Sequence, residues 1–148
     1  MQKILGINLP VAPWGFYSAE EVVKHHVDKL NESGKVWFST SNRIDPKKAG
    51  VIKYILFTNK SGLRYIATVV DYKFFEEKGL PSSSEEFSPE YYSTEEEKHW
   101  FLIDSIEKIS SDDVNKLIML NREVQNQYGS VEGYINNTKR LQVFYFEK

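Results

Sequence analysis

A chain of 148 residues with 41% hydrophobic and 27% charged residues has the composition of one folded domain with its own core, not of a disordered segment. It has no cysteine, which excludes a disulfide framework, a thiol nucleophile and any cysteine-ligated zinc or iron–sulfur site. The formal charge of −2 conceals an asymmetry: residues 76–97 hold eight Glu and one Lys, a local charge of −7, so the remainder carries +5.

Residues 3–9 are short and apolar and end at Pro10, which predicts a first strand. Pro13-Trp14-Gly15 reads as a turn. Ser18 with Glu21 three residues on forms a capping box, and Val22, Val23, Val27 and Leu30 follow at helical spacing up to Gly34, so a helix is expected over 19–31. Residues 35–40 (KVWFST) read as a short strand, and the polar stretch 42–48 with Pro46 as a loop. Residues 51–58 and 63–75 are strands joined by the hairpin signal Asn59-Lys60-Ser61-Gly62.

The acidic stretch 76–97 carries Pro81, Pro89 and a serine run. It is too polar for a core and longer than an ordinary loop, so it is expected to be mobile or functional. Residues 99–109 (HWFLIDSIEKI) predict another strand. A helix is expected over 112–127, capped near Ser110 and stopped at Gly129, followed by a helical turn at 130–136 and a last strand at 141–146. No apolar run approaches the ~20 residues of a membrane-spanning helix. The start MQKILGINLPVAPWG lacks the features of a signal peptide, so a cytoplasmic protein is expected. The order β-α-β-β-β-β-α-β, with strands joined by hairpins and long loops, predicts a single α+β domain over 1–148. A curved, mostly antiparallel sheet of about six strands would carry two main flanking helices.

No motif points to catalysis. P-loop, dinucleotide-binding glycine and nucleophile-elbow patterns are absent. Adjacent His25 and His26 point to different sides of a helix and do not chelate; both are expected on its surface, and His99 as a strand residue. No enzyme, metal or cofactor is expected. The carboxylates of 76–97 read as a solvated run. What stands out is aromatic: three Trp, nine Tyr and nine Phe. Trp37 is followed by Ser39, Thr40, Ser41 and Asn42; Trp100 begins a later strand; Tyr91 and Tyr92 precede it; Trp14 lies in the first loop. Indoles beside small polar residues can stack a planar ring while hydroxyls and amides read its edge.

The stretch from Gly34 to Asp71, GKVWFSTSNRIDPKKAGVIKYILFTNKSGLRYIATVVD, resembles the centre of YTH domains, with their Val-Trp-small-Thr strand, Asn-containing loop and Ser-Gly hairpin. HWFLIDSIEKI is similar to the strand that follows the recognition loop in YTH and EVE domains. The resemblance covers residues 34–75, and more loosely 98–125. It implies a PUA-like pseudo-barrel and a non-enzymatic reader of a modified nucleobase, such as N6-methyladenine or a modified cytosine. The ligand would be DNA or RNA, or a free nucleotide, held by base flipping or single-strand capture in an aromatic cage. It implies Trp37 as the first cage wall and Trp100 as the second, with Tyr92 or Tyr91 as substitutes. Ser39 and Thr40 would contact the base, with Asn42 near the family's loop Asn but one residue short of it, and Asn8 as a further polar contact. Arg43, Lys47, Lys48, Lys60 and Arg64 would line the nucleic-acid backbone, although the acidic 76–97 stretch repels phosphate. A competing expectation is a small interaction or inhibitor protein that uses the 76–97 loop as a docking strip or nucleic-acid mimic. A third is an enzyme on RNA or a nucleotide, for which no acid/base set is visible.

Overall fold

The computed structural model describes residues 4–148, so Lys3 of the expected first strand lies outside the described residues. Strand β1 (Leu5–Pro10) is central, and Ile7, Asn8 and Leu9 are fully buried. It runs parallel to β3 (Tyr54–Thr58) and antiparallel to β7 (Phe144–Glu147). The parallel pair needs a crossover, which α1 (Ala19–Ser33) and β2 (Val36–Thr40) supply. All other pairings are antiparallel, through β4 (Arg64–Gly79), β5 (Glu97–Lys108) and β6 (Ile118–Met119). The sheet is open and curved, in the order β2-β5-β4-β3-β1-β7-β6: an α+β fold with seven strands among the described residues, one more than expected.

The capping box closes α1 as its sequence dictates: Glu21 N donates to Ser18 Oγ and Ser18 N to Glu21 Oε1, each at 3.2 Å. Gly34 stops the helix at φ +80°, its N–H donating to Leu30 O at 2.7 Å. Val22, Val23, His26 and Leu30 form the buried stripe of α1. They face Phe38, Phe57, Phe101 and Ile103 of the sheet in the largest core cluster. Side chains alternate along β2, so Val36 and Phe38 join that core while Trp37 points to the opposite face. There a second cluster gathers around Leu56, Leu117, Ile135 and Phe146. Gly6 lets the Phe146 ring lie on its backbone, where a Cβ would overlap the ring.

Three expectations need correction. The loop 42–48 contains a helical turn, α2 (Pro46–Ala49), because Asp45 Oδ1 accepts the Lys47 N–H at 3.0 Å and Pro46 takes a first-turn position. The helix over 112–127 is broken into α4 (Ser111–Val114), β6 and α5 (Arg122–Tyr128). Apolar spacing alone did not separate the two patterns. Side chains decide instead: Asn121 Oδ1 caps α5, Gln125 Oε1 accepts Met119 N at 2.7 Å, and Leu120 N donates to Tyr145 O at 3.0 Å. The fold thus has one long helix, not two, and 130–136 becomes the helix α6 (Val131–Asn137), capped by Ser130.

The acidic stretch is also different. β4 runs on to Gly79 through ladder bonds with β5, and β5 starts at Glu97, so only 80–96 connect them. This connection holds α3 (Ser84–Phe87) and a 3-10 turn at Glu90–Tyr92, and it buries Pro81, Ser84, Ser88, Pro89 and Tyr92. It wraps the edge strand β2: Ser83 meets Trp37 on one face, and Tyr92 meets His26 on the other. Among the described residues, no helix is long and apolar enough to cross a membrane.

Candidate functional site

The C-terminal end of β2 leaves the sheet through Ser39-Thr40-Ser41-Asn42. Thr40 Oγ1 accepts both the Asn42 N–H (3.1 Å) and Asn42 Nδ2 (2.8 Å), which fixes the turn. Two adjoining clefts of about 360 and 390 Å³ open on either side of it and share Thr40, Ser41, Asn42 and Glu97.

Aromatic rings wall the first cleft. Trp14, His26, Phe38 and Tyr92 line it, with Ser39 to Asn42 along one edge and Glu95 and Glu97 at the rim. Tyr92 organises the wall: its ring centroid lies 4.8 Å from Trp14 and 5.0 Å from His26, nearly parallel to the imidazole at 29°. The Tyr92 hydroxyl and His25 Nδ1 are hydrogen-bonded at 3.0 Å. Burial, helped by the charges of Tyr17, Glu21 and Tyr91, pushes the Tyr92 phenol up to about 12, so it stays protonated. Trp14 sits in a tight turn closed by reciprocal backbone bonds with Tyr17, both 2.9 Å, and Gly15 permits it at φ +59°.

His26 corrects the surface assignment, being only 4% exposed. Its Nδ1–H donates to Val22 O at 2.7 Å, and the Phe38 ring packs against it at 5.0 Å. Burial, reinforced by the neighbouring His25, lowers its pKa to about 4 against the bond to Val22. The sign of the consequence follows. Between pH 6.5 and about 4 the unfolded chain binds a proton that the folded chain refuses, so stability is full above this window and falls as pH drops through it. The loss is about 3 kcal/mol at about 1.4 kcal/mol per pKa unit. Urea unfolding at pH 7 and pH 4 measures it, and His26→Phe flattens the dependence.

The second cleft is polar and cationic. Arg43, Lys78, Lys98, His99 and Phe74 line it with Ile44 and Pro46. Among the described residues Arg43, Lys78 and Lys98 have no salt-bridge partner. His99, also buried, is hydrogen-bonded through Nδ1 to the Tyr72 hydroxyl at 2.7 Å; burial and then Lys98 lower its pKa.

Of the residues singled out in the sequence, Ser39, Thr40, Asn42, Tyr92 and Arg43 come together at these clefts. Trp37 and Trp100 do come together, but as core on the opposite face: both are buried, with rings edge to face at 88° and centroids 6.3 Å apart. Neither lines either of these two clefts, because the alternation of β2 turns Trp37 away from Phe38. Asn8 is fully buried, its Oδ1 accepting from Thr58 Oγ1 at 2.7 Å and its Nδ2 donating to Gln142 O at 3.3 Å. Lys60 donates to Thr138 O, and Arg64 is ion-paired with Glu132, so both fasten α6. Lys48 lies over the Tyr145 ring at 4.9 Å, and Lys47 is exposed on α2 beside the second cleft's Pro46.

His26 and Phe38 were the residues missed, along with Lys78 and Lys98. A signal existed for His26: it stands at i+4 from Val22 and i−4 from Leu30, on the apolar stripe of α1. Among the described residues no group of three His, Asp or Glu is placed to hold a metal ion. Compared with family models, curated proteins and solved structures, the chain matches none.

Proposed function

We propose that this chain recognises a modified nucleobase in DNA or RNA without catalysing a reaction, in the cleft at the end of β2. On this reading the fold is a YTH/EVE-like variant of the PUA-like pseudo-barrel, acting in the cytoplasm. Its aromatic walls are Trp14, His26, Phe38 and Tyr92 in place of the Trp37–Trp100 cage. One observation carries the reading: four aromatic side chains line a cleft of about 360 Å³ whose edge is the hydroxyl and amide run Ser39 to Asn42. A planar ring stacked there gains about 1–3 kcal/mol, and the polar run can read its edge.

Charge orients the rest of the ligand. Glu95 and Glu97 at the rim repel phosphate, whereas Arg43, Lys78 and Lys98 attract it in the adjoining cleft. A strand or a nucleotide phosphate therefore leaves the base cleft on the Arg43 side.

Polarisation binding to matched oligonucleotides, with and without N6-methyladenine or 5-methylcytosine and at one salt concentration, tests this. A preference of about tenfold for one modified form is expected, equal to about 1.4 kcal/mol. Trp14→Ala, at a partly exposed wall, should cost the ~1–3 kcal/mol of one stacking contact and leave stability nearly unchanged. Equal binding to modified and unmodified strands, or indifference to Trp14→Ala, sinks the reading.

A second reading has its own support. The connection 80–96 is folded, and it presents Glu85, Glu86, Glu90, Glu95 and Glu96 to solvent. This suits a docking strip or nucleic-acid mimic for a basic protein partner. Replacing Glu85, Glu86 and Glu90 by Gln would abolish that contact, whereas Trp14→Ala would not.

A further inference from the structure

His26 carries a hydrogen-bonding capacity that the protein does not use. Its Nδ1–H is committed to Val22 O at 2.7 Å. A neutral imidazole protonated at Nδ1 has a lone pair at Nε2. No donor reaches Nε2 among the described residues, yet no fully buried side-chain nitrogen or oxygen lacks a partner. Nε2 is therefore open, and the space that His26 borders is the aromatic cleft. The ring packs against both Phe38 and Tyr92 at 5.0 Å and is tied to Val22 O through Nδ1, so the acceptor is fixed in direction. A near-buried acceptor without a donor is an incomplete hydrogen bond, and a ligand donor completes it.

We propose that His26 Nε2 is the specificity-determining acceptor of the cleft, which reads an N–H on the edge of the bound ring. The inference rests on the base-binding reading of the cleft and narrows its ligand. The ring carries an amino group, or a monomethylated amino group that keeps one N–H. A dimethylated amino group, or a bare C–H at that position, leaves Nε2 unpaired and is rejected. Groups near the imidazole do not supply the missing donor. Tyr92 bonds His25 through its hydroxyl, and Glu95 and Glu97 at the rim are acceptors when ionised.

The test uses three nucleosides as probes: N6-methyladenosine, its N6,N6-dimethyl counterpart and purine riboside, which has no amino group. Wild-type protein should bind the monomethyl form at least tenfold more tightly than the other two. His26→Phe keeps a buried ring of similar size without the acceptor. It should lose that preference by weakening the monomethyl complex alone. Nitrogen NMR of the wild-type imidazoles gives a readout independent of the variant's folding: the unprotonated Nε2 signal of His26 should shift on adding the monomethyl probe. Equal binding of the mono- and dimethyl probes overturns the proposal, as does an unmoved Nε2 signal in the bound state. Equal weakening of all three probes by His26→Phe leaves the base-binding reading standing and reduces His26 to a stacking wall. Failure of wild-type protein to bind any of the three, and any oligonucleotide, removes both.

Discussion

Replacing Trp100 by alanine should destabilise the protein by about 3–5 kcal/mol, the range for truncating a fully buried large aromatic. Trp100 is 1% exposed and packs with Trp37, Leu102, Phe75 and Phe87. Its Nε1–H is shared between Gly79 O and Glu97 O, both at 3.0 Å, so one indole ties the end of β4 to the start of β5. Trp37 extends the tie, donating from Nε1 to Ser83 Oγ at 3.0 Å. The two indoles thus anchor both ends of the 80–96 connection, and that connection delivers Tyr92 to the cleft. Loss of Trp100 should loosen 80–96 and weaken the proposed ligand binding through Tyr92. Binding loss on alanine substitution is therefore no proof of contact. The separating variant is Trp37→Phe, which keeps a buried ring and loses only the bond to Ser83. It should lower stability modestly and leave binding within about twofold. Urea unfolding with hydrogen exchange over 80–96 measures the first effect, and polarisation binding the second. A Trp100→Ala protein of wild-type stability that fails to bind would return the indole pair to the ligand.

The same two residues show how far the sequence could be read. The hairpin at 59–62, the capped helix α1 and the strand containing Trp37 are local signals, written in adjacent residues, and the structure has all three. Sidedness was harder. Either face of β2 was open to an aromatic cage, because Trp37 and Phe38 are neighbours and the sequence does not say which face α1 covers. The covering helix makes Phe38 a cleft wall; the 80–96 wrap makes Trp37 core. Polar composition misled in 80–96, since Pro81, Ser84 and Tyr92 anchor the chain while the glutamates stay in water. The break in 112–127 turned on Asn121 and Gln125, whose side chains satisfy backbone groups that a continuous helix would have used.

Removing Glu132 should cost about 3–5 kcal/mol, because it strands a buried guanidinium. The pair is bidentate: Arg64 Nε donates to Oε2 at 2.8 Å and Nη2 to Oε1 at 3.0 Å, with both side chains nearly buried. Arg64 Nη1 also donates to the carbonyls of Asn59 and Leu63, each at 2.7 Å, and Nη2 reaches Asn136 Oδ1 at 3.2 Å. The guanidinium therefore joins the β3–β4 hairpin to α6, and Lys60 adds a bond to Thr138 O. Desolvating two charges offsets most of what their attraction gains, so the pair as a whole contributes far less than either partner's removal suggests. Two expectations follow for chemical unfolding. Glu132→Leu and Arg64→Met should each be strongly destabilising, and the double variant should recover most of the loss. Neither change should alter the proposed nucleobase binding, since Arg64 and Glu132 line neither cleft. If Arg64→Met abolished binding at unchanged stability, the arginine would belong to the nucleic-acid backbone after all. The bidentate geometry argues against that, because a guanidinium with its N–H groups turned to one carboxylate, two carbonyls and one amide has little left to offer a phosphate.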